Sequence, residues 1–469
     1  MSDWQEYKIE EIALDSPNAM STGPFGSAIS SKFFQEVGVP VIRGGNLSTE
    51  VTDRMSDDGL VFVSPEKAEE FKRSVVRPGD LIFTCWGTIN QVGLITDELK
   101  YSEYIISNKQ MKLTPDPEKA DSLFLYYLFS SPLKQAEIIN NGIGAAVPGF
   151  NLGQLKSHIV YLPPVDEQKQ IAAILNSFDR KIRHNHQINQ TLEQIAQAIF
   201  KSWFVDFEPV KAKIEAKQNG QDPERAAMRA ISGKSDEEIG QLSEKQRQQL
   251  TITAALFPDE LENSELGEIP KGWKVKPLDK VADYLNGLAL QKFPAEDGEE
   301  SLPVIKIAQL KKGDSKDADR ASKNIKPEYV INNGDVIFSW SGSLFIDIWC
   351  GGQGALNQHL FKVTSEEYPK WFYLYWTNYH LAEFQRIAAD KAVTMGHIKR
   401  GHLSSAKCLV PDDKLINTLG AYISSLVDLS VERRLENDNL AKIRDSLLPK
   451  LLSGEIGDDV SAAGKEAVA

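Results

Sequence analysis

The sequence predicts an α+β protein: two similar mixed α/β domains separated by an antiparallel two-helix coiled coil. Three observations predict this class. A set of short landmarks occurs twice in the same order, strand-like and helix-like stretches are mixed within each copy, and a long stretch with heptad apolar spacing follows each copy.

The first observation is the repeat of landmarks. The matched segments, in chain order, are Pro40 to Leu47 with Pro303 to Leu310, Gly79 to Phe83 with Gly334 to Phe338, Asn108 to Thr114 with Asn357 to Thr364, and Leu162-Pro163 with Val410-Pro411. The number of residues between matched landmarks becomes smaller from the first pair to the last. The landmarks keep their order, so the loops between them must differ in length. A period this long is not that of a solenoid repeat, whose units span about 20–50 residues. The repeat therefore indicates a duplicated globular domain.

These landmarks predict six segments. They are a first domain at 1–163, a long helix at 164–207, a helical connector at 208–263, a second domain at 264–411, a second long helix at 412–455 and a disordered tail at 456–469. A chain of 469 residues is too long for one hydrophobic core, which agrees with several domains.

Strands and a helix are predicted in each copy. In the first copy, Val39 to Ile42, Asp80 to Thr84 and Gln110 to Leu113 have strand patterns, and Ser122 to Ile139 has the pattern of one buried helix. The second copy places Trp371 to Trp376 in the helix position.

The heptad stretches predict the coiled coil. In the first, the spacing alternates between four and three residues through Ile171, Leu175, Phe178, Ile182, Asn185, Asn189, Leu192, Ala196, Ile199 and Trp203. The matching positions of the second are Leu419, Ile423, Leu426, Ser430, Arg433, Asn437, Leu440, Arg444, Leu447 and Leu451. Polar Asn at such positions weakens a coiled coil but fixes its register.

The connector is expected to let the second helix return antiparallel to the first. Asp222-Pro223 predicts the start of one connector helix, and Ser235 with Glu238 predicts a capping box for another. At 1.5 Å per residue each long helix would extend roughly 60 Å, which would put the two domains at opposite ends.

Bulk properties restrict the location of the protein. The start of the chain, Met1 to Glu6, has no signal-peptide pattern, and no apolar run approaches the roughly 20 residues of a membrane span. The three cysteines form no CxxC pair, which argues against a disulfide framework or a zinc site. We expect a cytoplasmic protein with no membrane partner and no bound metal.

The formal net charge of −13 restricts how the protein could bind nucleic acid. Lys and Arg supply nearly all sequence-independent affinity for phosphates, so this chain is not a basic coat protein. A local positive surface with a few base contacts remains compatible with an acidic remainder, which would suppress binding to wrong sites.

The candidate DNA-binding residues lie in loops beside the repeated strands and before the long helices. Amides and hydroxyls can contact base edges, and basic side chains with glycine-rich turns, such as Gly142 to Asn151 and Thr394 to Arg400, can hold phosphates. Structural hydrogen bonding and plain connection of elements are the alternatives. The candidates are Arg43, Asn46, Trp86, Thr88, Asn90, Lys109, Gln110, Asn151, Lys306, Gln309, Trp340, Ser341, Gln358, His359, His397, Lys399 and Arg400.

The aromatic run at the end of the first long helix has two interpretations. Phe200, Trp203, Phe204 and Phe207 could pack into a core at the helix end, or they could form a docking site for a partner, since aromatic residues are enriched at interface hot spots.

Motifs for catalysis are not found in the sequence. There is no GxxxxGK[ST] loop, no GxGxxG after a strand, no HExxH and no GxSxG, and there is no Asn-Pro-Pro-aromatic or Asp-Pro-Pro-aromatic tetrapeptide. The sequence therefore predicts a non-catalytic protein.

Three segments resemble the specificity subunit of type I restriction-modification systems. They are Phe200 to Pro209, Leu162 to Ala172 and Glu265 to Trp273, and they occur in the order typical of that family. The second long helix departs from the pattern, with Asp412-Asp413-Lys414 where the first copy has Asp166-Glu167-Gln168.

The resemblance implies a DNA sequence-specificity subunit with two target-recognition domains. Each domain would read one half of a split, asymmetric double-stranded DNA target, while the helices set the spacer and dock two modification (methyltransferase) subunits. S-adenosylmethionine is then expected on the modification subunits, and ATP with Mg²⁺ on restriction subunits, with no cofactor on this chain. The alternatives are a methyltransferase or nuclease active in its own right, and a coiled-coil protein adaptor.

Overall fold

The computed structural model describes residues 4–143, 149–296, 298–390 and 396–455. The chain divides into two compact units, one formed by Met1–His184 with Asn439–Ala469 and the other by Asn185–Asp438. The predicted tail at 456–469, the middle of the glycine-rich loop at 144–148, and Thr394 with Met395 lie outside the described residues.

The first copy mixes short strands and short helices. Its strands are β1 (Gln5–Lys8), β2 (Met20–Thr22), β3 (Val39–Ile42), β4 (Val61–Val63), β5 (Val75–Val76), β6 (Leu81–Thr84), β7 (Val92–Leu94), β8 (Tyr104–Ile106), β9 (Gln110–Leu113) and β10 (Ile159–Leu162). Its α-helices are α1 (Pro65–Glu70), α2 (Ser122–Ser130), α3 (Pro132–Asn140) and α4 (Leu152–Ser157). The strands predicted at 39–42 and 110–113 are confirmed, and the one predicted at 80–84 begins one residue later.

These strands form two four-stranded sheets and a ribbon. One sheet is antiparallel in the order β2-β9-β6-β7, and the other has the order β4-β3-β8-β5 with β3 and β8 parallel. Strand β1 pairs with β10, so the first and last strands of the copy lie side by side. The last residues of β2 and β6 and the first residue of β9 lie at the same end of the antiparallel sheet. The loops that follow β2 and β6 and the loop that precedes β9 therefore meet there.

After the first copy comes the long helix α5 (Val165–Phe200), which ends in a π-helical turn at Lys201–Val205. The connector contains α6 (Glu208–Gln218), α7 (Pro223–Ser232), α8 (Asp236–Gly240), α9 (Glu244–Ala255) and the hairpin of β11 (Leu261–Ser264) and β12 (Gly267–Pro270). Asp222 caps α7, and Ser235 with Glu238 forms the capping box of α8, so both predicted helix starts are confirmed.

The second copy repeats the plan. Its strands are β13 (Lys274–Pro277), β14 (Asp283–Asn286), β15 (Ser301–Ile305), β16 (Arg320–Ser322), β17 (Val330–Ile331), β18 (Val336–Ser339), β19 (Phe345–Ile348), β20 (Gly354–Leu356), β21 (Leu360–Thr364) and β22 (Lys407–Val410). Its helices are α10 (Ile307–Lys312), α11 (Lys370–Asp390) and α12 (Arg400–Ser405), and the long helix α13 (Asp413–Leu452) follows. The sheet orders β14-β21-β18-β19 and β16-β15-β20-β17 and the ribbon of β13 with β22 match the first copy. The predicted α+β class and the duplication are confirmed.

The strand register corrects one detail of the repeat. Gln110 lies opposite Thr84, and Leu360 lies opposite Ser339 in the matching pair of strands. Lys109 therefore corresponds to His359, and the predicted match of Asn108 with Asn357 is wrong by one residue. The pairing of the strands determines which residues of the two copies are equivalent. It is a stricter criterion than the presence of an Asn in both sequences.

The helix predicted over 122–139 is broken in two. Pro132 has no backbone N–H and starts α3, while the Ser131 hydroxyl accepts a hydrogen bond from Lys134 N at 3.4 Å and caps it. When Phe124 is matched with Phe372, His380 takes the place of Pro132, and α11 continues without a break.

The long helices pair antiparallel within each unit, as predicted. In the first unit, Phe178 and Ile182 of α5 pack against Leu440 of α13. In the second unit, Asn185 Nδ2 donates to Asn437 Oδ1 at 2.8 Å. The repeat pairs Asn437 with Asn189, but the side-chain N and O atoms of Asn189 are buried and have no hydrogen-bond partner among the described residues.

The first copy joins the long helices through a buried polar network. Asp179 of α5 is fully buried, and its carboxylate lies 2.5 Å from Arg444 Nη1 of α13. The Tyr127 hydroxyl of α2 donates to the same carboxylate at 2.5 Å. Burial lowers the pKa of Arg444, but the Asp179 carboxylate outweighs it, so the pKa is raised and the guanidinium stays charged.

The second copy joins the helices by apolar packing at the matching positions. In the repeat Asp179 corresponds to Val427 and Arg444 to Ala196, and both of these residues are buried. The Phe200 ring lies 5.1 Å from Trp376 of α11, between ring centroids. An ion pair of Arg434 with Asp347, at 2.8 Å, lies at the edge of this contact with its side chains partly exposed.

Candidate functional site

Five loop segments of the first copy meet at one end of its antiparallel sheet. Gly23 N donates to Gln110 O at 2.9 Å, Cys85 N donates to Lys109 O at 2.6 Å, and Phe150 N donates to Cys85 O at 2.9 Å. A Cβ on Gly23 would lie 1.8 Å from Ser107 O, so this approach requires glycine. We call residues 23–32, 43–49, 85–91, 107–109 and 149–157 the first loop cluster.

The second copy builds the same arrangement. Gly287 N donates to Leu360 O at 3.0 Å, and Ile398 N donates to Trp340 O at 3.0 Å. A Cβ on Gly287 would lie 2.2 Å from Asn357 O, which repeats the close approach of Gly23. We call residues 287–294, 306–312, 340–344, 357–359 and 397–405 the second loop cluster.

Both loop clusters are free of acidic residues. No Asp or Glu occurs in any of the ten segments, although the chain as a whole has a net charge of −13. Their basic residues are Lys32, Arg43, Lys109 and Lys156 in the first cluster and Lys292, Lys306, Lys311, Lys312, Lys399 and Arg400 in the second. Such a segregation of charge fits a surface that faces phosphates.

Most predicted residues of the first copy lie at the surface of the first loop cluster. Arg43, Thr88 and Lys109 are exposed, and Trp86 is 51% exposed. Asn90 is partly buried in the same loop as Trp86. Asn151 is exposed and caps α4, since its Oδ1 accepts a hydrogen bond from Gln154 N at 3.0 Å.

Two predicted amide residues point inward instead. Asn46 Nδ2 donates to Ser56 O at 3.1 Å and to Asp58 O at 2.9 Å, and only 3% of the residue is exposed. Gln110 is fully buried, and its Oε1 accepts a hydrogen bond from Ser107 N at 3.1 Å. This corrects the expectation for both residues, because their amides support the loops from inside and do not face solvent.

Five predicted residues of the second copy come together around one indole. Trp340 Nε1 donates to Asn286 Oδ1 at 2.9 Å, and its ring centroid lies 6.0 Å from His359 and 6.2 Å from His397. Ser341 is buried, with its Oγ 2.9 Å from His359 Nδ1. Gln358 Nε2 lies 3.4 Å from His359 Nε2. This group combines aromatic faces with hydrogen-bonding edges.

The other predicted residues of the second copy surround this group. Lys306 Nζ forms an ion pair with Asp319 at 2.5 Å, and Gln309 Oε1 accepts from Lys306 N at 3.3 Å. Lys399 and Arg400 are exposed at the start of α12, and Arg400 Nη2 donates to Tyr284 O at 3.3 Å. The exposed Lys399 is therefore more available to a ligand than the ion-paired Lys306.

The aromatic run after α5 packs into the core of the second unit. Phe200, Trp203 and Phe204 are at most 5% exposed, and Phe207 is partly buried with its ring centroid 5.8 Å from that of Trp273. Core packing, one of the two interpretations of this run, is what the structure shows. These rings do not offer an exposed docking surface for a partner.

The repeated Gly-Asp motif is a turn into a core strand. Gly79 and Gly334 have φ of 96° and 91°, values that favour glycine. Asp80 accepts hydrogen bonds from Arg77 N at 2.9 Å and from the Thr114 hydroxyl at 2.5 Å, and burial raises the pKa of its carboxyl. Asp335 pairs with Lys362 at 2.8 Å. Both acids are structural.

Some residues of the clusters were not predicted. Phe25, which is 72% exposed, and the basic residues Lys32 and Lys156 lie in the first loop cluster. The repeated glycines Gly23 and Gly287 and the lack of acids would have identified these segments from the sequence.

In the described part of the chain no group of three or more His, Cys, Asp or Glu side chains could hold a metal ion. No described helix is both long and apolar enough to cross a membrane.

Comparison with known proteins gives a consistent set of matches. The sequence profile described as "Type I restriction modification DNA specificity domain" matches residues 1–194 and 270–424. The specificity subunit of the type I restriction enzyme HindI from Haemophilus influenzae is 27% identical over 476 residues, covering 97% of this chain and 100% of that protein. The MjaIX specificity subunit from Methanocaldococcus jannaschii is 23% identical over 470 residues, covering 97% and 94%.

One solved structure supports the fold. The crystal structure of a type I restriction-modification system S subunit from M. genitalium aligns with a TM-score of 0.51 and 13% identity, covering 96% of each chain.

Proposed function

The chain belongs to the type I restriction-modification DNA specificity family, and from this we propose that each copy reads one half of a split, asymmetric DNA target through its loop cluster. It is the specificity subunit of such a system and acts with DNA and the other subunits of the complex. The family gives no support to the alternatives of an independent enzyme or a simple adaptor. Below, the two copies are called target-recognition domains.

The observation that carries the proposal is the separation of charge. A chain with net charge −13 keeps ten loop segments free of Asp and Glu, and hydrogen bonds join several segments within each set of five. Basic residues there would neutralise phosphates, while exposed polar and aromatic side chains would meet base edges. The acidic remainder would disfavour contact elsewhere on the chain.

Two similar but unequal domains suit an asymmetric target. A symmetric dimer reads a palindrome, whereas a duplicated chain can differ at each half-site. Lys109 in one cluster and His359 in the other occupy equivalent positions and differ in chemistry. Helices α5 and α13 each contribute residues to both units, which supports a role in setting the spacer between the half-sites.

The helices also suit partner docking. Large apolar side chains exposed on them are Ile195 of α5 and Tyr422 and Ile443 of α13, each at least 43% exposed. We assign these faces, and not the buried ring of Phe200, to two modification subunits. S-adenosylmethionine would be bound by those subunits, and ATP with Mg²⁺ by restriction subunits, so that this chain binds no cofactor.

A comparison of DNA binding by the isolated chain and by the complex tests the proposal. The cognate sequence is first identified by methylation-sensitive sequencing, and DNA binding by the isolated chain and by the assembled methyltransferase is then compared by fluorescence anisotropy. We expect weak binding by the chain alone and tight, sequence-selective binding by the complex. Equal affinity and selectivity of the two would refute this division of labour.

Charge variants in the same assay locate the surface. Lys109→Ala in the first cluster and Lys399→Ala in the second should each weaken binding of the complex at all sequences. Each should also reduce the slope of log affinity against log salt by about 1, the value for one lost phosphate contact. The matched control is Lys245→Ala on connector helix α9, an exposed lysine outside both clusters. An unchanged salt slope in both cluster variants would place the DNA elsewhere.

A further inference from the structure

The first loop cluster presents a phenylalanine ring to solvent. Phe25 is 72% exposed, more than any other aromatic side chain among the described residues with large exposed hydrophobic groups. Burying such a ring is strongly favourable, and Trp86 of the same cluster is also exposed, so the two rings together indicate a surface that something else covers.

The loop that carries Phe25 is held firmly on both sides. Before the ring, Gly23 passes so close to Ser107 that no side chain would fit. After the ring, Asn108 Nδ2 donates to Gly26 O at 3.0 Å, and Ala28 N donates to Phe25 O at 3.3 Å. The ring therefore projects from a braced turn and loses little conformational freedom when it binds.

The surroundings of Phe25 favour nucleic acid over protein as the covering molecule. Lys32 lies on the same loop as Phe25. Lys109 is next in sequence to Asn108, which is hydrogen-bonded to this loop, and no acidic residue occurs in the cluster. Trp86, a second exposed ring, belongs to the same cluster. Aromatic rings set among basic side chains can stack on bases while the cations contact the backbone.

The second loop cluster lacks this feature. Starting from the matched glycines Gly23 and Gly287, the position of Phe25 is taken by Ala289. Trp86 corresponds to Ser341, which is buried, and the indole of Trp340 is only partly exposed. Among the described residues of the second cluster no aromatic side chain is as exposed as Phe25 or Trp86.

We propose that Phe25 is a base-stacking residue of the first target-recognition domain, and that its ring inserts at a base step of the half-site that this domain reads. The first half-site is then selected partly by how easily that step unstacks, and the second mainly by hydrogen bonds from the group around Trp340. This inference rests on the proposed function.

The test uses the assembled methyltransferase and cognate duplexes that carry 2-aminopurine at successive positions of both half-sites. Methyltransferases flip their target base out of the stack, so a rise is expected at the target base of each half-site. The wild-type complex should raise the fluorescence at one further step, in one half-site only. Phe25→Ala should abolish that rise and weaken cognate binding about tenfold, the order expected for one lost stacking contact. Phe25→Trp should preserve the rise.

Val37→Ala is the matched control. Val37 is 76% exposed in the same domain, but it precedes β3, whereas Arg43 of the loop cluster follows that strand. Its truncation removes an equally exposed apolar group and should leave both the fluorescence and the affinity unchanged. Thermal unfolding of each variant checks that the fold is intact.

The outcomes separate the inference from the proposed function. If the wild-type complex discriminates cognate DNA and Phe25→Ala behaves like wild type, the inference is overturned while the proposed function stands. If Phe25→Ala instead fails to assemble with modification subunits in size-exclusion chromatography, the ring is a protein contact and the inference is also overturned. A wild-type complex without sequence discrimination would contradict the proposed function itself.

Discussion

The two target-recognition domains share sheet order and register, but they join the long helices by opposite chemistry. The first uses the buried pair of Asp179 and Arg444, and the second uses Val427 and Ala196 at the matching positions. In the second domain apolar residues join the domain to the long helices at the matching positions. The fold therefore does not require the charges of Asp179 and Arg444 at this contact. We infer that they prevent each domain from packing on the wrong helix segment, because a mismatch would bury an unpaired charge.

The largest expected effect comes from breaking the charged junction. Asp179→Ala leaves the Arg444 guanidinium buried without its main partner, which should destabilise the first unit by about 3–5 kcal/mol. Hydrogen exchange of the α5 amides within 165–184 measures this loss. The control is Asp445→Ala, which removes the 45% exposed partner of the same arginine and should cost far less. Equal losses for the two variants would contradict a dominant role of the buried pair.

A double variant sharpens the same comparison. Asp179→Val combined with Arg444→Ala gives the first junction the residues of the second and should recover most of the stability lost by Asp179→Ala. A double variant as unstable as the single one would show that the apolar solution does not transfer between the halves.

Trp340 and Trp86, the tryptophans of the two loop clusters, should also differ in how much they contribute to stability. Trp340 packs against Phe361 at 5.8 Å and is hydrogen-bonded to Asn286, whereas Trp86 is 51% exposed. Trp340→Ala should therefore destabilise the second unit by about 2–3 kcal/mol, and Trp86→Ala should destabilise the first by less than about 1 kcal/mol. Hydrogen exchange of β21 and β9 gives the two values, and the reverse order would contradict the packing described.

The partly exposed ion pair of Arg434 with Asp347 in the second unit should contribute less stability than the buried pair of Asp179 with Arg444 in the first unit. Arg434→Ala removes two hydrogen bonds to Asp347, at 2.9 and 2.8 Å, from side chains that are 25% and 30% exposed. We expect a loss of about 1 kcal/mol in the second unit, read from exchange of α13 within 413–438. A loss as large as that of Asp179→Ala would remove the contrast between the junctions.

The smallest expected effect concerns pH. Burial lowers the pKa of His158 below its ordinary 6.5, the charge of Lys134 lowers it further, and Glu137 opposes both. The unfolded chain therefore takes up the proton first, and the stability of the first unit falls as pH drops below 6.5 toward the folded-state pKa. His158→Gln should make this fall shallower.

The unfolding of the first unit in urea is monitored by hydrogen exchange at several pH values. This measures how the stability of the first unit changes with pH. Ala406 occupies the matching position of the second domain, but His380 is also buried there with a lowered pKa. The variant is therefore compared with wild type in the first unit alone. An unchanged slope would exclude His158 as its source.

Much of the fold was predictable because repetition and periodicity are properties of the sequence itself. The buried strands around Ile42 and Ile82 and the heptad positions of α5 follow from apolar patterns alone. The break at Pro132 was missed because the apolar run on both sides of it continues the helical pattern. The one-residue shift at Asn108 was missed because strand pairing, which the sequence does not display, sets the register.

The candidate site was predicted less completely. Exposed loop residues such as Trp86 and Lys399 were identified by type, but the same reasoning selected Asn46 and Gln110, whose amides are buried. Which way an amide points depends on the backbone groups that surround it, and these come from segments distant in sequence. Phe25 was overlooked because a single aromatic residue in a loop has no periodic pattern.

The two-stranded ribbons have a consequence for how such proteins diversify. Gln5 lies opposite Leu162 in one ribbon, and Lys274 lies opposite Val410 in the other, so the chain enters and leaves each domain through neighbouring strands. A segment with adjacent ends can be exchanged as a cassette with little disturbance of its host. Recombination at the two strands of one ribbon would replace one target-recognition domain and leave the long helices unchanged. New DNA targets would then arise by exchange of one domain, without changes in the rest of the chain.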